Sequence, residues 1–576
     1  MLSFLFNGNK YAWVVACVAL LSINLLVSFL PIRLDLTKEK RYTLSPATDS
    51  LLATLDEPIS IDVFLQGEFP AGFQKLSKST AEFLQLLKSK NSSKVNFRFI
   101  SPKETMPGNE QMKYGDSLVA LGVSPINLTV QLQEGQQQNY IFPVATMHYK
   151  GKQQLINLYA GSNRLISQNE INEADALLEY QFLNAIQKIS TTEKQNIAYA
   201  TGNGEPENEK TYDLQTLLKD EYNLFQFNIS TQPIIPSEIK ALLVVKPTIP
   251  FTDAQLLKLD QFVMRGGKLI CFIDNLIAEQ DSLSKRQTIA FARNLNLTEL
   301  FFKWGARINA DLIMDLQCES IPFVVGEGAD NKPQFEFLHW NYYPLFQSYN
   351  THSINRNIGL VGSRFANSMD TIQAPGIKKT VLLSSSSASR RISTPAIISL
   401  EENRNVPEDE KFKSSQIPTA LLLEGEFTSL FKNRISSSQA DSLQYYKTPF
   451  VRQSAANKII IVGDGDIALN EFLPEAGPLP MGWNKYSYLA YEQGSKDARY
   501  FIPVANRQFV QNCLEYLVSS AAIIETRNKN IVLRLLDTKK VKAEKTKWQW
   551  INIALPIIIL LLFGWIFQQL RKKKFA

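Results

Sequence analysis

Carboxylates that follow strand-like runs are the residues of this chain whose types and spacing could do chemistry. Five polar stretches close such runs: Thr201-Gly202-Asn203-Gly204-Glu205-Pro206, Asp274-Asn275, Ser384 to Ser387, Glu424-Gly425-Glu426 and Gly463-Asp464-Gly465-Asp466. In open parallel sheets, ligands sit at the carboxyl ends of the strands. On that topology Asp274, Glu424, Asp464 and Asp466 converge on one crevice, flanked by Asn203 and Glu205, as a ligand or cation site. The plainer reading is that Gly and Asp after strands are turn residues. The sequence alone leaves both open.

Other chemistries find less support. There is no Gly-x-x-x-x-Gly-Lys-Ser/Thr loop to cradle a nucleotide, and no Gly-x-Ser-x-Gly or Gly-x-Cys-x-Gly elbow. His148, His339 and His352 have no metal-ligand partner three to five residues on. Ser384 to Ser387 has no identifiable base. Cys17, Cys271, Cys318 and Cys513 lie far apart without Cys-x-x-Cys spacing, so buried thiols are expected. The sequence therefore predicts no enzyme, no cofactor and no bound metal.

The positioning elements read as an α/β protein. Ser45-Pro46 starts a short helix. A strand over Ile59–Leu65, a helix over Phe73–Lys90 and a strand over Val95–Ile100 follow. Strands at Leu128–Leu132, Tyr140–Tyr149 and Gln153–Leu158 predict a small antiparallel sheet. An amphipathic helix over Asn169–Ile189 closes this unit. The order is thioredoxin-like, without the redox cysteines. From Asn196, strands and helices alternate, which predicts a parallel sheet. Thr252 and Gln255 predict a capping box, and Gly266-Gly267 a helix end. Later strands are expected at Thr380–Leu383, Ala420–Leu423 and Ile459–Val462, with a helix over Asn506–Leu517 packed on them. Gly326 to Arg356 and Glu401 to Gln416 read as long loops.

At 576 residues, with a net charge of +6, the chain holds several domain-sized units. The basic runs Lys539–Lys547 and Arg571–Lys574 suit anionic lipid headgroups better than nucleic acid. Tyr11–Leu30 and Ile551–Phe567 are apolar, the second preceded by Trp548 and Trp550, and both are long enough to cross a bilayer. The expected division is an anchor over 1–31, a thioredoxin-like domain over 32–191, a larger α/β domain over 192–530, a basic juxtamembrane segment over 531–547 and a second spanning helix with basic tail over 548–576. Both termini are expected inside, with the large region outside the cytoplasm. Asn552, Pro556 and Gly564 interrupt the second span, and a polar amide and a small residue suit helix–helix contact.

Several stretches resemble the GldG family, the membrane-anchored auxiliary component of gliding-motility-associated ABC transporters of Bacteroidetes. They are Arg41-Tyr42-Thr43-Leu44-Ser45-Pro46, Phe69-Pro70-Ala71-Gly72-Phe73, Thr201 to Pro206, Leu259 to Met264, Lys379 to Ser386, Leu423 to Phe427 and Gly463 to Asp466. The resemblance implies a central domain of flavodoxin-like or glutamine-amidotransferase-like fold, of the type shared with intraflagellar-transport proteins. It implies a permease partner in the inner membrane, a cytoplasmic ATPase reached through that permease, and envelope motility or secretion proteins facing a periplasmic domain. It assigns no catalytic residues. A glycan- or small-molecule-binding, or hydrolytic, use of the acidic crevice is the alternative.

Overall fold

The computed structural model describes residues 18, 21, 22, 35, 43–67, 69–101, 126–132, 135–159, 168–191, 193–278, 287–327, 333–356, 358–400, 409–486, 488, 504–519, 521–528 and 538–575. The expected first anchor lies almost wholly outside the described residues. The chain forms two compact units, Met1–Lys529 and Asn530–Ala576.

The first part of the larger unit is a four-stranded sheet in the order Val95–Phe99, Ile59–Val63, Val144–Tyr149, Lys152–Asn157. The first pair is parallel and the rest antiparallel. Helices Ala71–Lys90 and Gln168–Ser190 pack on it through Phe73, Leu76, Leu84, Ala174, Leu178 and Phe182. Pro46–Ala53 starts as expected, with Ser45 Oγ accepting from the Thr48 N–H. One expectation fails here. Among the described residues Ile126–Leu132 pairs with Gly135–Ile141 alone, as a separate hairpin, so Tyr140–Tyr149 is two strands rather than one. Pro143 stands at the break, where a residue without an N–H cannot continue a ladder.

The second part is built on a seven-stranded sheet. Its order is Ile377–Ser384, Pro418–Thr428, Gln453–Val462, Lys268–Phe272, Ala241–Val245, Asn196–Thr201, Asn223–Asn228. Five strands are parallel, but Pro418–Thr428 runs against both of its neighbours. The sheet is therefore mixed, not uniformly parallel. Every residue of Ala241–Val245 is buried, as expected for a strand covered on both faces. Asp253–Met264 and Thr298–Trp304 cover one face, and Tyr212–Glu221 and Asn506–Val518 the other. Thr252 and Gln255 form the capping box in both directions. Gly267 donates to the Phe262 carbonyl at 2.9 Å, and Gly266 takes φ +92° to end that helix.

Between Lys268–Phe272 and Ile377–Ser384 the chain leaves the sheet. The stretch expected as a loop from Gly326 contains the hairpin Cys318–Glu327/Pro333–Phe346 instead. Trp340, Tyr342 and Tyr343 on it are buried side by side in a separate small core. From Tyr342 to Phe346 no polar side chain alternates with the apolar ones, so this end of the strand lacks the alternation that marks a half-exposed one. Of the other expected loop, residues 401–408 lie outside the described residues.

The described residues of the smaller unit form one helix, Thr538–Phe575, which starts ten residues before the expected second span. Much of the expected juxtamembrane segment is thus helical and continuous with the expected span. Among the described residues one helix is long and apolar enough to cross a membrane, Glu544–Arg571, with mean hydropathy 2.3 and its apolar window unburied.

Candidate functional site

Three parallel strands end side by side at the carboxyl edge of the large sheet, with Lys268–Phe272 between Ala241–Val245 and Gln453–Val462. Lys246 leaves the first with φ +44°, its N–H donating to the Phe272 carbonyl at 2.8 Å. Its Nζ lies 2.8 and 2.9 Å from the two oxygens of Asp466 and 3.2 Å from Asp274 Oδ2. Asp274 Oδ1 accepts the Gly465 N–H at 2.5 Å. Asp464 accepts the Asp466 N–H at 2.7 Å and the Arg364 N–H at 2.8 Å. A Cβ on Gly465 would lie 2.7 Å from Lys246 Cβ, so only glycine allows this approach.

The carboxylates of Asp274, Asp464 and Asp466 offer oxygens within 4.8 Å of one another. Burial, and then the charges of Asp466 and Asp274, push the Asp464 carboxyl well above the usual range. Burial acts on Asp466 in the same sense, but Lys246 and Arg364 overcome it and hold that carboxyl low. The Lys246 amine thus supplies from within the charge that a cation would bring. An ammonium among carboxylates is a satisfied buried network, in which removing one partner costs more than the pair contributes.

A second layer reaches this edge from the excursion. The Arg364 guanidinium lies 2.8 Å from Glu471 and 5.5 Å from the Tyr343 ring. Burial lowers the Arg364 pKa, but Glu471 leads the charges that raise it on balance. Burial pushes the nearby Glu319 carboxyl up to about 7 against the pull of Arg364, while the Asn484 amide donates to it.

Not all the expected residues join this cluster. Glu424 sits in Pro418–Thr428, the strand that runs the other way, and pairs in register with Lys458. It accepts from Tyr516 Oη at 2.6 Å, with the Lys458 and Lys378 amines at 3.8 and 3.9 Å. Antiparallel direction carries it toward the opposite edge. Asn203 bonds the Gln255 side chain at 3.2 Å, and Glu205 accepts the Asn203 N–H at 2.7 Å. They fold the turn after Asn196–Thr201. Burial pushes the Glu205 carboxyl up to about 7. Ser386 donates to Asp315 from its N–H at 2.6 Å and from its hydroxyl, and Ser385 Oγ lies 2.7 Å from Ser389 Oγ, so neither serine faces an imidazole. His352 packs edge-on against Tyr516, and His339 lies 3.2 Å from Ser320 Oγ. Cys271, Cys318 and Cys513 are buried free thiols, raised in pKa by burial.

On the C-terminal helix, Pro556 is interior. A proline offers no N–H to the carbonyl four residues back, which here is Asn552. A Cβ on Gly564 would meet nothing within 4 Å. Leu560 and Phe563 are 71% and 69% exposed.

A family model described as an ABC-type uncharacterized transport system matches residues 194–513, more than half of the chain. The protein belongs to that family. The match to the ABC-type transport family takes in the seven-stranded sheet, the excursion and the Lys246 cluster. The protein is an auxiliary component of such a transport system. A separate model, for a domain of unknown function, matches residues 38–148. No curated protein matches. Among solved structures, the mmIFT52 N-terminal domain aligns at 12% identity and a TM-score of 0.30, over 56% of this chain and 98% of its own. The exo-beta-1,4-mannosidase Op5Man5 from Opitutaceae bacterium strain TAV5 aligns at 9% identity and a TM-score of 0.22, over 84% of this chain and 55% of its own. At those scores neither bears on what this family member does.

Lys246, Arg364, Glu319 and Glu471 are the cluster residues that sequence reasoning missed. Lys246 carries the same signal as Asp274, a charged residue just past a buried strand, but it is basic where the other strand ends are acidic. Arg364 and Glu319 come from the excursion, where no local pattern points to the sheet edge.

Proposed function

We propose that this ABC-type auxiliary component is a non-catalytic subunit anchored in the bacterial inner membrane. It docks on a permease and presents its body to envelope partners in the periplasm, in the service of gliding motility. The single observation that carries the reading is Glu544–Arg571, a helix of 28 residues with its apolar window unburied. At 1.5 Å per residue it measures about 42 Å, against about 30 Å of bilayer core. Basic residues flank it on both sides, as interfacial anchors do. Asn552, Pro556 and Gly564 are the docking residues. A cytoplasmic ATPase is reached through the permease, and anionic lipids meet Lys539–Lys547. With a first span ahead of residue 32, both termini lie in the cytoplasm.

The four-stranded order, parallel first pair and antiparallel hairpin support a thioredoxin-like reading of residues 32–191. The five parallel strands of 192–530 support a flavodoxin-like or amidotransferase-like one. The Lys246 amine between its carboxylates argues against using the acidic crevice for a glycan or a metal.

The test is purification of the full chain in mild detergent. The proposal expects a multispan permease and an ATPase to accompany it. It also expects their loss when residues 544–571 are exchanged for an unrelated apolar span. Recovery of a lone chain from both preparations refutes it.

A further inference from the structure

The last part of the larger unit, Ala521–Ile524 and the turn Glu525–Asn528, leaves the sheet domain and packs against the first domain. Ile523 and Ile524 are buried against Leu177, Tyr180 and Leu183 of the Gln168–Ser190 helix, with Ala47 and Leu51 of Pro46–Ala53 alongside. Arg527 is 1% exposed. Its guanidinium stacks 4.6 Å from the Tyr180 ring centroid and donates to Asn512 Oδ1 and to the Arg356 carbonyl, both in the sheet domain.

Polar ties cross this junction as well. Tyr180 Oη donates to Glu515, Asn184 Nδ2 donates to Glu515 at 3.2 Å, and Lys188 pairs with Glu221 at 2.6 Å. In this apolar cluster the buried side chains facing the first domain come from the 521–528 segment itself, with Tyr516 only partly buried beside them. Hydrophobic burial supplies most of the favourable energy of such a contact, while polar pairs add little net. The segment thus supplies the buried apolar side chains that meet the first domain in this cluster. Nine residues of sequence, 529–537, then lead to the helix beginning at Thr538.

We propose that Ala521–Asn528 is a strap that fixes the first domain to the sheet domain, and that a pull from the C-terminal helix acts on this strap. Arg527 is its pin, held to the first domain by Tyr180 and to the sheet domain by Asn512. Displacement of the anchor then changes how firmly the two domains are coupled before it disturbs either fold. The mechanical role rests on the docking reading. The strap itself does not, because it is tested on the purified chain without a partner.

Hydrogen exchange of the full chain in detergent, with Arg527→Ala and the milder Ile523→Ala, reads it directly. In both variants exchange in Gln168–Ser190 and Pro46–Ala53 should rise at least about tenfold, while Lys268–Phe272 and Gln453–Val462 keep wild-type protection. Tyr180→Phe, which keeps the ring under Arg527, should move these helices less than Arg527→Ala does. Helices and strands rising together in Ile523→Ala, or no rise in the helices in either variant, overturns the strap. Strap behaviour as expected with no permease recovered would instead leave the strap standing and remove the docking reading.

Discussion

At the carboxyl edge of the sheet, Asp274 and Asp466 share the buried Lys246 amine, Asp464 lies beside them, and the backbone N–H groups of Arg364, Gly465 and Asp466 complete the bonds of Asp274 and Asp464. Along Glu544–Arg571, apolar side chains from Ile557 to Phe567 stand about half exposed or more. Both regions looked functional, one for its charges and the other for its hydrophobicity. They differ in what each still lacks. The cluster supplies its own counter-charge, so it holds three strand ends and the excursion together. The described apolar stretch of the helix is left unburied, the kind of surface that lipid or another protein covers in the proposed docking.

Lys246→Met should break that comparison most severely. It leaves uncompensated buried carboxylates and should cost about 3–5 kcal/mol in urea unfolding. If the amine stands where a cation would, millimolar calcium should raise the melting temperature of the variant and leave wild type unmoved.

Glu205→Gln comes next, at the same edge but with a carboxyl that burial has raised rather than one that a cation has compensated. Its folded pKa of about 7 exceeds the ordinary 4.5, so the native state holds a proton that the unfolded chain gives up. Stability from this group is full below pH 4.5 and is lost as pH rises through 7. The variant should therefore gain on wild type by up to about 3 kcal/mol between pH 5 and pH 8. Paired melting curves at both pH values check this. A variant that tracks wild type at both would show that Glu205 is ionised in the fold.

Gly465→Ala should cost about 1–3 kcal/mol, because its Cβ must displace the Lys246 stem. Ile558→Ser and Leu560→Ser on the helix should leave the unfolding midpoint of the body within about 0.5 kcal/mol of wild type. A large loss there would mean that the helix is part of the folding core, and the contrast would collapse.

Much of the framework was legible because local chemistry fixed it. Ser45-Pro46, the Thr252/Gln255 box and Gly266-Gly267 set helix ends through bonds within a few residues. The central parallel strands announced themselves as short apolar runs, Ala241–Val245 wholly and Leu269 to Phe272 after one lysine. Strand direction was not legible, since Pro418–Thr428 reads the same forward or reversed. Its reversal is what parts Glu424 from Asp464. The 333–346 strand was missed because aromatic residues on successive positions hide its period. The counter-ion Lys246 sat beside the acidic turns in plain view, but its pairing with Asp466, 220 residues on, is a property of the sheet order.

The central claim is that the C-terminal helix docks on a permease. Site-specific photo-crosslinking in intact cells tests it most directly, with the reactive side chain placed at Asn552, Gly564 or Ile558. The account predicts adducts with a multispan permease from Asn552 and Gly564, and weaker ones from Ile558. Adducts with lipid alone from all three positions would contradict it.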